Sequence, residues 1–205
     1  MAELLLIRHG KTAGNLLGRY IGSRTDEPLC DEGREGLAGK QLPEVERLYV
    51  SPMKRCVETA EILWPGFDRK KMQKVTDLRE CDFGDFENKN YKELSGNGDY
   101  QAWIDSNGTL PFPNGESMDA FKNRCREAFA RIVEEVSGAE QEWIASGKTG
   151  IFRAGIVVHG GTIMAILEQY GYPKAAYFDY QVKNGCGYRL TPVEGTRLWN
   201  CLCLQ

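Results

Sequence analysis

An excess of charge of one sign is missing from this chain: 26 basic residues against 29 acidic ones leave a formal net charge of −3 over 205 residues. So even a mixture offers no general surface for nucleic acid or an anionic membrane, and any phosphate must be bound by a few placed cations. Long apolar runs are missing too. Leu4-Leu5-Leu6-Ile7 is shorter than the ~7–15-residue core of a signal peptide. The uncharged stretch from Ala154 to Leu167 holds a histidine and two adjacent glycines, and falls short of the ~20 apolar residues of a membrane span. The expected location is the cytoplasm, with no membrane partner. The seven cysteines are an odd number without framework spacing, and read as free thiols, mostly buried as small apolar side chains. Cys201-x-Cys203 has no histidine or second cysteine pair nearby, so no metal site is expected. No cysteine lies in a recognisable nucleophile loop.

What is present is a pattern of strands and helices. A hydrophobic fraction of 41% suffices for one sizeable core, and the length suits a single domain over residues 1–205. Leu4–Ile7 reads as a buried strand running into Arg8-His9-Gly10. Asp31 is placed to cap a helix from Glu32 to about Leu42. Arg47–Ser51 reads as a second strand, after which Ser51 as cap and Pro52 as first helical residue predict a helix to about Trp64. Lys74–Leu78 is a third strand leading to Glu80. Residues 87–116, rich in Asn, Gly, Asp and aromatics, form an inserted excursion. Met118, Phe121, Cys125, Phe129, Ile132 and Val136 recur at helical spacing. Ile156–Val158 is a further strand, followed by His159-Gly160-Gly161 and a helix to about Tyr170. Gly187–Thr191 and Arg197–Leu202 around Pro192–Gly195 suggest a C-terminal hairpin. The expected fold is α/β, a mostly parallel sheet covered on both faces, with a ligand crevice beyond the strands' carboxyl ends.

The ionisable groups collect at that rim. The chain has two histidines, and both follow a strand and precede glycine. A lone histidine is more often structural or exposed, but this paired placement points to a ligand, with Gly10, Gly160 and Gly161 permitting close backbone approach. If the ligand is a phosphate ester, Arg8 and Arg55 supply planar, permanently charged donors for its oxygens. His9 would attack as neutral imidazole to form a phosphohistidine, its other ring nitrogen donating to a backbone carbonyl. His159 would donate to the transferring phosphoryl group. Glu80 would protonate the leaving oxygen and then activate water. Arg55 alone would read as a solvated helix residue and Glu80 alone as a solvated loop residue; each stands only with its neighbours.

Four segments in order carry a resemblance. Leu6-Ile7-Arg8-His9-Gly10-Lys11-Thr12-Ala13-Gly14-Asn15, then Ser51-Pro52-Met53-Lys54-Arg55-Cys56-Val57-Glu58-Thr59-Ala60, then Leu78-Arg79-Glu80-Cys81-Asp82-Phe83-Gly84 and Val157-Val158-His159-Gly160-Gly161 resemble the motifs of the histidine phosphatase (phosphoglycerate mutase-like) superfamily. The resemblance implies a three-layer α/β/α sandwich, nucleophile His9, acid/base Glu80, a phosphate pocket of Arg8, Asn15, Arg55, His159 and Gly160, no cofactor and no metal. Phe83-Gly84-Asp85-Phe86-Glu87, Pro113-Asn114-Gly115-Glu116-Ser117, Phe121, Arg124 and Asn184-Gly185-Cys186 are most similar to the α-ribazole phosphatase and broad-specificity branch. Lys11, Val158 and Asn88 depart from that branch's commoner Glu, Ser and Gly, and Ser137–Ala154 looks long. The implied partner is a small phosphomonoester, with α-ribazole 5′-phosphate the leading candidate. Phe83, Phe86, Tyr91, Tyr100 and Trp103 either stack on a heteroaromatic ring or pack the excursion onto the sheet. A bisphosphoglycerate-dependent mutase and an inactive phosphate-sensing or protein-binding module are the alternatives.

Overall fold

A computed structural model describes residues 2–205. Seven strands form one sheet in the order β3-β2-β4-β1-β6-β7-β5: β1 (Glu3–Arg8), β2 (Arg47–Val50), β3 (Gln73–Lys74), β4 (Arg153–Val158), β5 (Gly171–Tyr172), β6 (Gly187–Pro192) and β7 (Trp199–Leu204). β1–β4, β4–β2, β2–β3 and β5–β7 pair in parallel, while β1–β6 and β6–β7 are antiparallel. The last of these is the expected hairpin. The helices are α1 (Ala13–Leu16), α2 (Asp31–Glu35), α3 (Lys54–Leu63), α4 (Gly98–Asp105), α5 (Met118–Ala145) and α6 (Gly160–Tyr170).

The continuous apolar reading of β1 and β4 follows from burial on both faces. Successive side chains alternate across a strand. Leu4 and Leu6 thus join Ile156 and Val158 of β4, Phe121 and Phe129 of α5 and Ile166 of α6 on one face. Leu5 and Ile7 join Leu48, Val50, Cys56, Ala60 and Leu37 on the other. These are the three layers. Truncating a buried side chain such as Phe129 to alanine in such a core costs roughly 3–5 kcal/mol.

Several elements differ from expectation. α2 starts at Asp31 with Cys30 at its cap, and ends at Glu35, where Gly36 and the left-handed Gly39 cannot sustain a helix to Leu42. Asp31 and Glu32 instead lie in its first turn, favoured by the helix dipole. α3 begins at Lys54 rather than Pro52, with Met53 at the cap and no side-chain cap. The third strand shrinks to Gln73–Lys74 and passes into a 3-10 turn at Thr76–Leu78. The first half of the long segment Ser137–Ala154 is helix, because α5 runs on to Ala145. Of the seven free cysteines only Cys56, Cys81 and Cys125 are buried; Cys201 and Cys203 lie on β7, outside the central core. Asn88 adopts φ +56°, a left-handed conformation that glycine and asparagine tolerate best, which accounts for asparagine where the branch commonly has glycine.

The excursion packs against the chain before it and the core. Tyr20, Phe83, Phe86, Tyr100, Trp103 and Phe112 meet mostly edge to face, with ring centroids 5.1–6.3 Å apart. Phe86 and Phe112 are buried, and Tyr91 projects outward. Of the two readings of these aromatics, packing is the one the contacts support.

Candidate active site

The parallel register of β1 and β4 places Arg8 opposite Val158. The next residue of each strand is a histidine, so His9 and His159 emerge side by side at one rim, ring centroids 5.2 Å apart, close to the spacing of neighbouring strands. His9 is 4% exposed. Its Nδ1 lies 2.6 Å from the Gly10 carbonyl, which can only accept, so the proton sits on Nδ1 and the Nε2 lone pair is left for attack. Burial, then the charges of Arg55 and Arg8, hold the His9 pKa well below the ordinary 6.5. A neutral imidazole nucleophile is what this environment favours.

The loop that carries His9 is tied down by backbone groups and short side chains. Its N–H donates to Val158 O (2.9 Å), and Gly185 N–H donates to His9 O (3.0 Å). The Asn184 amide donates to His9 O (3.1 Å) and Asn15 Oδ1 (3.1 Å). Asn15 Oδ1 also accepts from Thr12 N–H in a reciprocal capping box on α1, so the Asn15 amide donors remain for a ligand. Gly10 N–H donates to Thr59 Oγ1 (2.9 Å), and the Thr59 hydroxyl donates to Arg55 O (2.6 Å), four residues back on α3. Gly10 itself packs against Leu37 and the Gly33 carbonyl, 2.8 and 3.1 Å from where a Cβ would stand. Its smallness serves loop packing, contrary to the expected ligand approach.

Arg55 is fully buried. It donates through Nη1 to Thr25 O (2.8 Å), through Nη2 to Gly22 O (3.0 Å) and through Nε to His159 Nδ1 (3.2 Å). The loop supplying those carbonyls is gathered by Glu87, whose Oε1 accepts from the N–H groups of Gly22, Arg24 and Thr25 at 2.9–3.1 Å. Because arginine always donates, His159 Nδ1 carries no proton. The proton is on Nε2, 2.7 Å from Ser51 Oγ. Burial and Arg55 keep this ring neutral also. Both nitrogens of His159 are therefore committed to the protein. This differs from the expectation of a free donor to phosphoryl: here His159 buttresses Arg55.

Arg8 donates through Nη1 to Val182 O (2.6 Å), while its buried Nε has no partner among the described residues. A buried guanidinium N–H of this kind is a strong donor to an anionic oxygen. Gly160 opens α6, whose first N–H groups lack intrahelical acceptors. A Cβ on Gly160 would stand 3.3 Å from the Arg8 guanidinium, and one on Gly161 2.5 Å from Glu80 Oε1. These two glycines make room for the site's own side chains.

Glu80 is 7% exposed. It accepts from Cys81 N–H (3.0 Å) and Gly161 N–H (3.2 Å). Burial raises its pKa from the ordinary 4.5, and outweighs these bonds and the charges of Arg55 and Arg8. Burial thus favours the acid form of Glu80, at the same rim as a neutral histidine. That pair can attack an electrophile and protonate a leaving group in one step. The expected residues His9, Glu80, Arg8, Arg55, His159, Asn15 and Gly160 all come to this rim. Ser51, Thr59, Glu87 and Asn184 were given no role in it, although all four lie in the quoted segments; the spacing of four between Arg55 and Thr59 signals one helix face. A depression of about 240 Å³ lined by Gly10, Lys11, Glu32, Leu37 and Asn184 borders the nucleophile loop; Lys11 there is paired with Glu32. Among the described residues no three His, Cys, Asp or Glu side chains gather into a set that could hold a metal ion. None of their helices is long and apolar enough to cross a membrane.

The rim gathers His9, His159, Arg8, Arg55 and Glu80 at the carboxyl edge of a mostly parallel α/β sheet. Residues 4–203 match the histidine phosphatase superfamily (branch 1), and the chain belongs to that superfamily. It is 30% identical over 178 residues to phosphoglycerate mutase-like protein 4 of Arabidopsis thaliana, covering 82% of this chain and 70% of that one. It is 28% identical over 203 residues to the adenosylcobalamin/α-ribazole phosphatase of Salmonella typhimurium, covering 94% and 92%. In structure it is similar to the α-ribazole phosphatase of Shigella flexneri, with a TM-score of 0.75 at 24% identity over 98% of this chain and 95% of that one.

Proposed function

We propose that this chain is a metal-independent phosphomonoesterase of the cytoplasm acting on a small phosphorylated metabolite, and that residues 1–205 form one catalytic domain. The observation that carries it is the pairing of a tautomer-fixed, neutral His9 with a buried Glu80 whose acid form is favoured. His9 Nε2 attacks phosphorus as the ester P–O bond breaks, and Glu80 gives its proton to the departing oxygen. Charge on the equatorial oxygens is met by the free Arg8 Nε–H, the Asn15 amide and the Arg55 guanidinium. In the second step Glu80, now a carboxylate, takes a proton from water. The water oxygen attacks phosphorus, the P–N bond breaks, and phosphate leaves with His9 restored.

The leading substrate is α-ribazole 5′-phosphate. Its support is the 203-residue similarity to a protein of that name, since all the candidate aromatics except the exposed Tyr91 pack on other rings. The first experiment is hydrolysis of p-nitrophenyl phosphate in excess EDTA by the wild-type and His9→Ala proteins. Turnover that survives EDTA, leaves a trapped phosphohistidine and vanishes in His9→Ala is expected. Equal turnover in both proteins would remove His9 as nucleophile, and loss in EDTA would remove metal independence. A substrate panel then decides the ester. A preference for sugar phosphates would dismiss α-ribazole 5′-phosphate, and bisphosphoglycerate-dependent interconversion of phosphoglycerates would make the chain a mutase.

A further inference from the structure

Glu80 follows a two-residue strand and a single 3-10 turn, so little regular backbone fixes its position. What surrounds it is a fork. The Arg124 guanidinium, on α5, donates through Nη1 to Asp77 O (2.8 Å) and Arg79 O (2.8 Å), and through Nη2 to Glu80 O (3.0 Å). The same group makes a bidentate bond to Glu116, Nε to Oε1 at 2.7 Å and Nη2 to Oε2 at 2.8 Å. Glu116 in turn holds the far side of the loop, its N–H donating to Asp82 O (2.9 Å) and its Oε2 accepting from Asp82 N–H (3.4 Å). The guanidinium lies 5.0 Å from the centre of the Phe121 ring. Both partners are about one-eighth exposed, 13% and 14%.

One cation thus spans the carbonyls of residues 77, 79 and 80, and one carboxylate closes on residue 82. Only a planar fork with five donors satisfies three carbonyls and a bidentate carboxylate together; an ammonium cannot. Such coverage exceeds what docking α5 on the sheet requires, because Phe121, Cys125 and Phe129 already bury that face.

We propose that Arg124 and Glu116 are positioning residues for the general acid: they fix the backbone on both sides of Glu80 so that its carboxyl meets the leaving oxygen. Neither touches the substrate. The inference rests on the assignment of Glu80 as acid, and the test separates the two.

Hydrolysis of p-nitrophenyl phosphate and of an unactivated alkyl phosphate is compared for wild type, Glu80→Gln, Arg124→Gln, Arg124→Lys, Glu116→Gln and the Glu80→Gln/Arg124→Gln double variant. An activated leaving group needs little protonation, so a displaced acid should be felt mainly on the alkyl ester. Arg124→Gln is expected to lower kcat on the alkyl ester at least about tenfold more than on the aryl ester, with Glu116→Gln showing the same contrast more weakly. Arg124→Lys should not rescue it. In the double variant the contrast should be no larger than in Glu80→Gln alone, because residues acting as a unit are not additive. Equal losses on both esters, or contrasts that add, would overturn the positioning role. A contrast in Glu80→Gln without one in Arg124→Gln and Glu116→Gln defeats the positioning role alone; no contrast in Glu80→Gln defeats the acid assignment and this inference with it. Should Arg124→Gln fail to fold, Glu116→Gln, which keeps side-chain length and hydrogen-bonding atoms, decides.

Discussion

The two halves of the site are built by different means. The nucleophile half hangs on the sheet: β1 and β4 lie side by side in the middle of it, and their register alone brings His9 to His159. Its further restraints are backbone bonds and the short side chains of Thr59 and Asn184. The acid half hangs on side chains. Glu80 stands beyond a strand of two residues, and its loop is held by Arg124, Glu116 and Glu87 reaching from α5 and the excursion. A sheet is a cooperative scaffold that one substitution seldom moves, whereas a side-chain brace fails when one partner is removed. Substitutions at residues that do not react should therefore injure the acid half more.

The largest effect expected from a substitution on the acid side is Glu80→Gln, which should slow an alkyl ester by about 10²–10⁴-fold. It should also raise stability in alkaline solution. Because the folded-state pKa of Glu80 is raised above 4.5, its contribution is fully present below pH 4.5 and is lost as pH rises through the folded value. The variant escapes that loss, so its Tm at pH 8 should exceed that of wild type. On the nucleophile side the sign reverses. His9 is lowered from 6.5, so stability is present above that value and falls as acid protonates the unfolded chain. Thermal melts from pH 4 to 9 of wild type, Glu80→Gln and His9→Asn check both signs; a lower Tm for Glu80→Gln at pH 8 would mean the carboxylate is not strained.

Adjacent glycines sharpen the contrast. Gly161→Ala would set a methyl group 2.5 Å from Glu80 Oε1 and 3.1 Å from the buried Phe121 ring, so the carboxyl must move and the ring must give by a few tenths of an ångström. We expect a loss of about 10–10² in kcat on alkyl esters, with a small fall in Tm. Gly160→Ala presses on the Arg8 guanidinium at 3.3 Å and should raise KM a few-fold with little change of leaving-group dependence. If the two variants behave alike, the halves are not independently built. Glu87→Gln comes next. It weakens an acceptor for three N–H groups of the loop whose carbonyls hold Arg55. Since a hydrogen bond to a charged group is worth ≈1.5–3 kcal/mol, denaturant unfolding should show a loss of about that size.

This division also explains what could be read from sequence. Leu4–Ile7 and Ile156–Val158 are apolar runs ending in histidine, and a parallel sheet turns such a run into a fixed address at its carboxyl edge. The nucleophile half was therefore legible from residue order. Glu80 was legible only through its motif, because Lys74–Leu78 lacks a strand's regularity and in fact bends into a turn at Thr76. Arg124 and Glu116 lie more than thirty residues beyond Glu80, and no periodicity announces hydrogen bonds from their side chains to the backbone across that gap. The long aromatic excursion left two readings open, because side-chain type does not say whether a ring meets another ring or a ligand.

Ser51 shows the same limit at a single residue. Ser-Pro is a strong opening for a helix, yet α3 starts three residues later, and the hydroxyl that would have capped it accepts from His159 Nε2–H instead, both residues being fully buried. The smallest effect follows from this. Ser51→Ala leaves the buried His159 Nε2–H with only the weak sulfur acceptor Cys56 Sγ, 3.6 Å away, which should cost roughly 1–3 kcal/mol in denaturant unfolding. Turnover of p-nitrophenyl phosphate should drop less than about threefold, because Arg55 Nε still finds His159 Nδ1 and the nucleophile is untouched. The opposite result would teach more: unchanged stability with turnover lowered a hundredfold would mean that the His159 N–H turns to the phosphoryl group during reaction, with Ser51 guiding it there. In that case His159 would be a donor to the transferring group after all, and the nucleophile half too would depend on a side-chain brace.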